Sequence, residues 1–297
     1  THAFHGAHNH KEYTMTERPE SEHKDRITAL EAHARDIRRE IVSMVHTAQS
    51  GHCGGSLSAA DIVAALYFDI MRLDPADPRL PDRDRFVLSK GHACPVLYAA
   101  LALRGYFPVA ELGTLRKNSS KLQGHPVATY LPGIEATSGS LGMGFAQAIG
   151  MALEAKMTGA AYTVYTMLGD GELDEGLVWE AASSAAKFGL DNLVAIIDRN
   201  NLQNDGWSDD IMPMEPIDRK FEAFNWRVVT IDGHDMAAIL ASLESARKRD
   251  GKPLCIIART VKGKGVSFME DKREWHGKPP SDAEYSQACA EIEGGCK

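Results

Sequence analysis

Two apolar runs in the middle of the chain are each followed directly by side chains that carry oxygen. The run at 162–168 ends at Gly169-Asp170-Gly171, and the run at 193–197 leads into Asp198-Arg-Asn-Asn201. This separation matches the roughly 30 residues of a β-α-β unit, so Asp170 and Asn200 should lie at the carboxyl ends of two parallel strands. Such oxygen ligands suit a hard cation such as Mg²⁺, which keeps positions open for phosphate oxygens. The pattern predicts a metal-bridged diphosphate site.

Four of the twelve histidines directly follow a glycine, namely His52, His92, His125 and His234. From the composition, about one such pair is expected. Glycine permits unusual backbone angles and the close approach of a ligand. Any one of these residues could still be a loop histidine bonded to nearby backbone. We expect the first three to lie where ligands gather, and we expect His234, which lies at a helix start, to be a structural cap.

Two further segments could bind a polar ligand. Gly139-Ser-Leu-Gly-Met-Gly144 precedes an apolar helix, where free backbone N–H groups suit phosphate, although the same glycines could equally serve close helix packing. Lys262-Gly-Lys-Gly265 follows the last predicted strand, again at a carboxyl end. Lys262 is the better candidate for a ligand contact, and we expect Lys264 to be solvated.

From about residue 37 to residue 279, the chain resembles the N-terminal part of transketolase, a thiamine diphosphate-dependent enzyme. The Gly-Asp-Gly to Asn-Asn segment is similar to the cofactor motif of such enzymes. Five other motifs follow the family order: Ser50-Gly-His-Cys-Gly-Gly55, Asp84-Arg-Phe-Val-Leu-Ser-Lys-Gly-His-Ala93, Gly124-His-Pro126, Thr137-Ser-Gly-Ser-Leu-Gly-Met-Gly144 and Trp275-His-Gly-Lys278. Cys53 and Gly55 depart from the proline and serine that are often found in the family, which puts side-chain contributions from these two positions in doubt.

The resemblance implies a set of site residues. The side chains of Asp170 and Asn200 and the backbone carbonyl of Leu202 would hold Mg²⁺, or Ca²⁺ or Mn²⁺ in its place. His52 and His276 would contact the sugar and move protons. Glu175 matches an acidic residue at the subunit interface, although it could equally be a first-turn helix carboxylate. The residues that would bind thiamine diphosphate are His92, His125, Gly139, Ser140, Leu141, Gly171, Glu172, Asn200, Lys262 and His276.

The resemblance also implies a reaction and a partner. The reaction is the reversible transfer of a two-carbon ketol unit from a ketose or ketose phosphate to an aldose or aldose phosphate. Because transketolases are usually much longer, we expect this chain to be the diphosphate-binding subunit of a split enzyme. Its partner would be a C-terminal subunit that binds the pyrimidine, with two copies of each chain.

Two alternative functions remain open on the sequence. One is the alpha subunit of a thiamine-dependent 2-oxoacid dehydrogenase, which should lack the Ser-Lys-Gly-His and Trp-His-Gly-Lys motifs. The other is a cofactor-binding interaction module without activity of its own. The intact set of ligand residues argues against the second.

Composition excludes several classes of protein. The 297 residues include 33 basic and 41 acidic side chains, a net charge of −8, and no basic block, so a nucleic-acid surface is not expected. No apolar run approaches the roughly 18 residues of a membrane span, and the first residues lack the apolar core of a signal peptide. The five cysteines lie at no metal-ligand spacing and form no complete disulfide framework. We expect a cytoplasmic location.

The periodicity of the chain predicts an α/β fold with a mostly parallel twisted sheet and helices on both faces. This is also the thiamine diphosphate-binding fold of the family's diphosphate domain. We expect one domain over 15–297, preceded by a leader-like or tag-like segment at 1–14, and a long functional loop at 113–139. A capping box at Ser58 and Asp61 should start a helix. The main predicted helices are 25–48, 62–68, 92–104, 140–157, 173–188 and 235–249, and the predicted strands are 85–88, 162–168, 193–198, 226–231 and 254–258.

Overall fold

The computed structural model describes residues 20–295, so the segment 1–14 and Cys296 lie outside the described residues. One five-stranded sheet forms the centre of the molecule. All of its neighbouring strands are parallel, in the order β1-β2-β3-β5-β4, which confirms the predicted α/β class. The strands are β1 (Arg85–Leu88), β2 (Val164–Gly169), β3 (Leu193–Arg199), β4 (Arg227–Asp232) and β5 (Leu254–Arg259).

Ten α-helices and several single turns surround the sheet in the described part of the chain. The π-helical turn Leu66–Ile70 continues α3, and 3₁₀ turns cover Gly91–Ala93, Val109–Thr114, Gly171–Asp174 and Arg273–Trp275. The helices are α1 (Glu20–Ala48), α2 (Gly54–Leu57), α3 (Ala60–Ala65), α4 (Cys94–Arg104), α5 (Met143–Thr158), α6 (Gly176–Lys187), α7 (Ser208–Ile211), α8 (Ile217–Ala223), α9 (Met236–Ser245) and α10 (Asp282–Gly294).

Successive strand residues point to opposite faces of the sheet. Helices cover both faces, so apolar side chains on both sides are buried. In β3, Val194 and Ile196 join the cluster formed with α1, α3, α4, α9 and α10. Leu193, Ala195 and Ile197 join the cluster formed with α5, α6 and α8. This explains why the strands are almost continuously apolar in sequence. Between residues 20 and 295, no helix combines the length and the apolar character that crossing a membrane requires.

The predicted capping box at Ser58 and Asp61 is wrong. Helix α3 begins after Ala59 without a side-chain cap. The Ser58 hydroxyl instead donates to the Asp198 carboxylate at 2.7 Å. Asp61 accepts hydrogen bonds from Arg38 and forms an ion pair with it. Both side chains therefore serve contacts between distant elements, which local spacing cannot reveal.

Helix α10 was not predicted, although its start carries a sequence signal. Ser281 accepts a hydrogen bond from the Glu284 N–H, and the Glu284 carboxylate accepts one from the Ser281 N–H. This is a true capping box, in the pattern Ser-x-x-Glu. Ala288 and Ile292 of α10 are buried in the cluster that includes α1. The segment after Trp275 is therefore part of the fold and not a polar tail.

Candidate active site

A cavity of about 310 Å³ opens at the carboxyl edge of the sheet. The loops that follow β1, β2, β3 and β5 all contribute to it, together with the glycine loop before α5 and the segment after Arg273–Trp275. It contains every predicted metal, cofactor and sugar residue except His52, His125 and Ser140. Its lining residues are Gly55, Lys90, His92, Gly139, Leu141, Gly169, Asp170, Gly171, Glu172, Asn200, Leu202, Gln203, Asn204, Asp205, Lys262 and His276.

Asp170 is buried directly after β2, as the sequence predicts. Its Oδ1 accepts the Gly171 N–H at 2.9 Å, and its Oδ2 accepts Arg199 Nη1 at 3.0 Å and the Ser208 hydroxyl at 3.1 Å. Burial, and then the charge of Asp198, raise the pKa of this carboxyl group. A cation in the cavity would lower the pKa of this carboxyl group again, because a nearby positive charge favours its ionised form.

Asn200 and Leu202 follow β3 in the same wall of the cavity. The Asn200 amide donates from Nδ2 to Asp198 at 2.8 Å, and its Oδ1 accepts the Leu202 N–H at 3.2 Å. The Leu202 carbonyl oxygen accepts a hydrogen bond from Lys262 Nζ at 2.6 Å. A lysine ammonium therefore contacts the backbone oxygen that the sequence assigns to the metal. Burial lowers the pKa of Lys262 to about 8.

The oxygen donors fit a hard divalent cation. Asp170, Asn200 and Leu202 offer a carboxylate, an amide and a carbonyl oxygen to one cavity. Within residues 20–295, no group of three or more His, Cys, Asp or Glu side chains is placed to hold a metal ion by itself. An ion at this position would therefore need further oxygens from a bound ligand, which is how Mg²⁺ usually binds beside a diphosphate.

Three histidines form a cluster on the side of the cavity that Lys262 faces. The His92 ring stacks on that of His276 with centroids 5.3 Å apart, and the His52 ring meets them edge-on at 5.2 and 5.4 Å. Burial is the first cause that lowers their pKa values, to about 4 for His52, about 2 for His92 and about 3 for His276. All three imidazoles are therefore neutral near pH 7.

The glycine loop before α5 is held by Glu172. The Glu172 carboxylate accepts the N–H groups of Gly142 at 2.7 Å and Gly169 at 3.1 Å, and it also accepts the Ser89 hydroxyl. The side-chain oxygens of Glu172 are therefore already used in hydrogen bonds within the protein. A cofactor contact from this residue would have to come mainly from its backbone. His125 packs against Gly139, where an added Cβ would lie 3.3 Å from the imidazole. Ser140 is exposed beside the cavity.

A group of buried hydrogen bonds around Asp198, next to the cavity, was not predicted from the sequence. Asp198 accepts hydrogen bonds from Lys90 and Asn200, and also from the hydroxyl groups of Ser58 and Thr260. Burial opposes ionisation of Asp198, yet the Lys90 ammonium holds the pKa of that carboxyl below its usual value. Lys90 lies in the Ser-Lys-Gly-His motif and Asp198 immediately precedes Arg199 and Asn200, so both positions were visible but carried no assigned role.

His234 is structural but does not cap a helix, so that part of the prediction is wrong. Asp235 caps α9 by accepting the N–H groups of Ala237 and Ala238. The His234 ring bridges two elements: Nε2 accepts the Val261 N–H at 2.9 Å, and Nδ1 lies 2.7 Å from Asp61 Oδ2. Glu175 is exposed at the start of α6, and its predicted interface role stays a prediction.

Known proteins resemble this chain in sequence. Residues 30–292 match the family model described as transketolase, thiamine diphosphate binding domain. A 6-deoxy-6-sulfo-D-fructose transketolase subunit of Clostridium sp. is 46% identical over 264 residues, which cover 89% of this chain and 96% of that protein. An apulose-4-phosphate transketolase subunit of Phocaeicola vulgatus is 41% identical, with coverage of 90% and 94%.

A solved structure agrees with these matches. Transketolase from Leishmania mexicana superposes with a TM-score of 0.85 at 32% identity, over 89% of this chain and 41% of that one. The chain thus spans nearly all of the two subunit relatives but less than half of the longer enzyme. The chain belongs to the transketolase, thiamine diphosphate binding domain family, and it is a thiamine diphosphate-dependent subunit of the transketolase type.

Proposed function

We propose that this chain is the diphosphate-binding subunit of a split transketolase, which transfers a two-carbon ketol unit from a ketose to an aldose. The observation that carries the proposal is the single cavity that collects Asp170, Asn200, Lys262 and His276 from four separate loops. The two subunit relatives support it, because their names describe transketolase subunits and this chain spans nearly their whole length. A cytoplasmic location stays a prediction.

Asp170, Asn200 and the Leu202 carbonyl would hold a Mg²⁺ ion beside the diphosphate. For the ion to reach the Leu202 oxygen, the Lys262 ammonium has to leave its present hydrogen bond. A diphosphate oxygen would then be the natural new partner for Lys262, since an ammonium is a compact phosphate-binding charge. Gly139 and Gly171 line the same cavity, where free backbone N–H groups of these loops would serve the cofactor's polar groups.

The histidine cluster would handle protons at the sugar hydroxyls. Thiamine diphosphate supplies the electron sink for cleavage of the carbon–carbon bond. The His276 Nδ1 accepts a hydrogen bond from Lys262 Nζ at 2.7 Å, which leaves Nε2 of the neutral ring carrying the proton. His276 would therefore donate a hydrogen bond from Nε2 to one sugar hydroxyl, and the neutral His52 ring would accept a hydrogen bond from a neighbouring hydroxyl group.

A second polypeptide would complete the site. We expect a C-terminal subunit that binds the pyrimidine end of the cofactor, and an assembly with two copies of each chain. An obligate interface of this kind should bury more than about 2,000 Å² in total. The exposed apolar side chains Trp207, Ile211 and Met212 lie close in sequence to the Leu202 wall of the cavity and would be covered there.

The test is reconstitution. This chain by itself, the separately purified C-terminal partner and the co-expressed pair are assayed for ketol transfer in the presence of thiamine diphosphate and Mg²⁺. We expect activity only in the pair. Ordinary enzyme rates from the isolated chain would overturn the split-enzyme proposal, and a stable pair that binds cofactor without transferring a ketol unit would favour a binding module.

The metal assignment has its own test. Asp170→Ala should abolish Mg²⁺-dependent retention of thiamine diphosphate in the assembled enzyme, and Asn200→Ala should weaken it less, because only the first change removes an anionic ligand. Asp174→Ala serves as a control, since that carboxylate bonds Gln203 outside the predicted ligand set. If calorimetry found unchanged cofactor affinity in both ligand variants, the assignment would be wrong.

A further inference from the structure

The loop between α4 and α5 contains a stretch without carboxylates. Residues 112–134 include no Asp or Glu but carry Arg116, Lys117, Lys121 and His125, in a chain whose net charge is −8. Arg116, Lys117 and Lys121 are exposed. In residues 20–295, none of these three cations forms an ion pair with a carboxylate, although nine of the 17 arginines in this range do. The local charge is therefore positive and unneutralised.

Arg116 connects the two loops that carry His52 and His125. Its Nη1 donates to the Ser50 hydroxyl at 2.9 Å, two residues before His52. Its guanidinium also lies against Gly124, where an added Cβ would come within 2.8 Å of Nη2. Glycine at 124 therefore leaves the room that the arginine occupies, directly beside His125.

The backbone holds Arg116 in this position. The residue has a left-handed φ of 56°, which is uncommon for a side chain of this size. Its N–H donates to the Leu122 carbonyl at 2.8 Å, which closes the loop 116–122. Such a conformation is retained only where the surrounding structure determines it.

The positive charge of Arg116 acts on two of the histidines near the cavity. After burial, it is the next cause that lowers the pKa of both His52 and His125. His52 in turn contacts the rings of His92 and His276, which line the cavity. Arg116 is therefore linked to the histidine cluster through His52, and it is not among the residues that line the cavity with Asp170.

We infer that Arg116 binds the anionic end group of the sugar substrate, a tetrahedral oxyanion such as a phosphate or a sulfonate. The inference rests on the proposed function, because the sugar's reacting end must lie at the His52 and His276 side of the cavity. A guanidinium offers paired N–H donors that match two oxygens of such a group. Lys117 and Lys121 add positive charge in the same loop.

The experiment uses the assembled enzyme of both chains with thiamine diphosphate and Mg²⁺. Donor kinetics are compared for fructose 6-phosphate, 6-deoxy-6-sulfofructose and unmodified fructose, which differ only at the end group. The variants are Arg116→Ala and Arg116→Lys. The matched control is Arg219→Ala on α8, an arginine whose side chain is 72% exposed and which, in residues 20–295, forms ion pairs only with its neighbours Asp218 and Glu222.

Arg116→Ala should lower kcat/KM for the anionic donors by about tenfold to a hundredfold, the range for losing a charge-assisted hydrogen bond. It should leave the value for fructose unchanged. Arg116→Lys should recover part of the loss, and Arg219→Ala should change nothing. The wild-type ratio between the phosphate and sulfonate donors then identifies which oxyanion the site prefers. Binding of fructose 6-phosphate, measured by calorimetry, gives a second readout without turnover.

Three outcomes would overturn the inference. They are an equal loss for neutral and anionic donors, no loss for any donor, and a loss of cofactor retention in Arg116→Ala, which would place the arginine at the diphosphate. A wild-type assembly that transfers no ketol unit from any donor would contradict the proposed function instead. In that case the calorimetric comparison still decides whether Arg116 binds the oxyanion.

Discussion

The hydrogen bond between Lys262 and His276 links the two chemical parts of the site. Lys262 Nζ donates both to His276 Nδ1 and to the Leu202 carbonyl, so one ammonium contacts a proton-transfer candidate and a metal-ligand candidate. Movement of this ammonium toward a diphosphate would free both acceptors. The neutral state of His52 and His276 follows from their burial and from the positive charges around them.

At the residue scale, we predict that His52→Ala and His276→Ala lower turnover by about 10²–10⁴-fold, the usual range for losing a general acid or base. Cofactor affinity should stay mostly intact, because contacts made in the transition state affect kcat more than ground-state binding. Steady-state kinetics and calorimetry on the assembled enzyme measure the two quantities. His33→Ala, on α1 and outside the cavity, is the control. Full activity in both site variants would make these residues structural.

A second residue-scale prediction concerns pH. The pKa of His52 is about 4 in the folded chain against 6.5 for the unperturbed group. Between these values the unfolded chain binds more protons, so the free energy of unfolding should fall as the pH drops from about 6.5 towards 4. His92 and His276 act in the same direction. His52→Gln should make this decline shallower in urea unfolding at pH 7, 6 and 5, and identical pH slopes would contradict the assignment.

At the scale of elements, the start of α5 must approach the end of β1 very closely. The Phe145 N–H donates to the Ser89 hydroxyl at 2.9 Å, and Ser89 in turn donates to Glu172 after β2. Three elements of the site are therefore joined at one point. Gly144 makes this possible, since an added Cβ would lie 2.6 Å from the Ser89 Cα. Gly144 thus serves close packing, which is one of the two roles that the sequence left open for this loop.

We therefore predict that Gly144→Ala destabilises the chain by about 1–3 kcal/mol, the typical cost of overpacking. The matched control is Gly150→Ala in the same helix, where an added Cβ meets nothing within 4 Å. That change should stabilise the chain by about 0.5–1 kcal/mol, because alanine favours a helix interior. Denaturant unfolding of the two variants gives the comparison. A similar effect from both changes would show that the α5–β1 contact can relax.

At the scale of the molecule, we propose that this chain holds only part of the cofactor site. The cavity holds the oxygen and lysine groups suited to a diphosphate, while the pyrimidine end has no predicted site here. The chain covers 41% of the Leishmania mexicana enzyme. Binding to the folded chain alone should therefore be weak, and binding to the assembly should be strong.

Thermal unfolding should show the difference in cofactor affinity between the isolated chain and the assembly. A ligand that binds only the folded state stabilises it by about 2.7 kcal/mol at a hundred times its Kd, and by more as affinity rises. Thiamine diphosphate with Mg²⁺ should therefore raise the melting temperature of the assembly by more than that of the isolated chain. Pyrophosphate with Mg²⁺ is the control. Because it lacks the pyrimidine, it should raise the melting temperatures of the isolated chain and of the assembly by similar amounts. Equal shifts with the whole cofactor would mean that the partner contributes little to its binding.

Local sequence patterns predicted the sheet class and most elements, and they predicted that Asp170, Asn200 and Lys262 would meet at one edge of the sheet. Asp170, Asn200 and Lys262 could be assigned because strand ends are readable from apolar runs, and the carboxyl ends of parallel strands meet at one edge. Periodicity also predicted α1 and α4, and α4 ends at Gly105, whose φ is 97°. These features depend on residues close together in the chain, so local patterns are enough.

Which side chains share buried hydrogen bonds could not be predicted from the sequence and follows from the folded structure. Lys90 and Asp198 lie 108 positions apart, yet they form an ion pair in the interior behind the cavity. Ser58 has the spacing of a helix cap but donates to Asp198, and Arg199 reaches back to Asp170. A buried charge is tolerated only where the fold places an opposite charge or a hydrogen-bonding group beside it. The pairing is therefore set by how distant elements pack, which spacing along the chain does not encode.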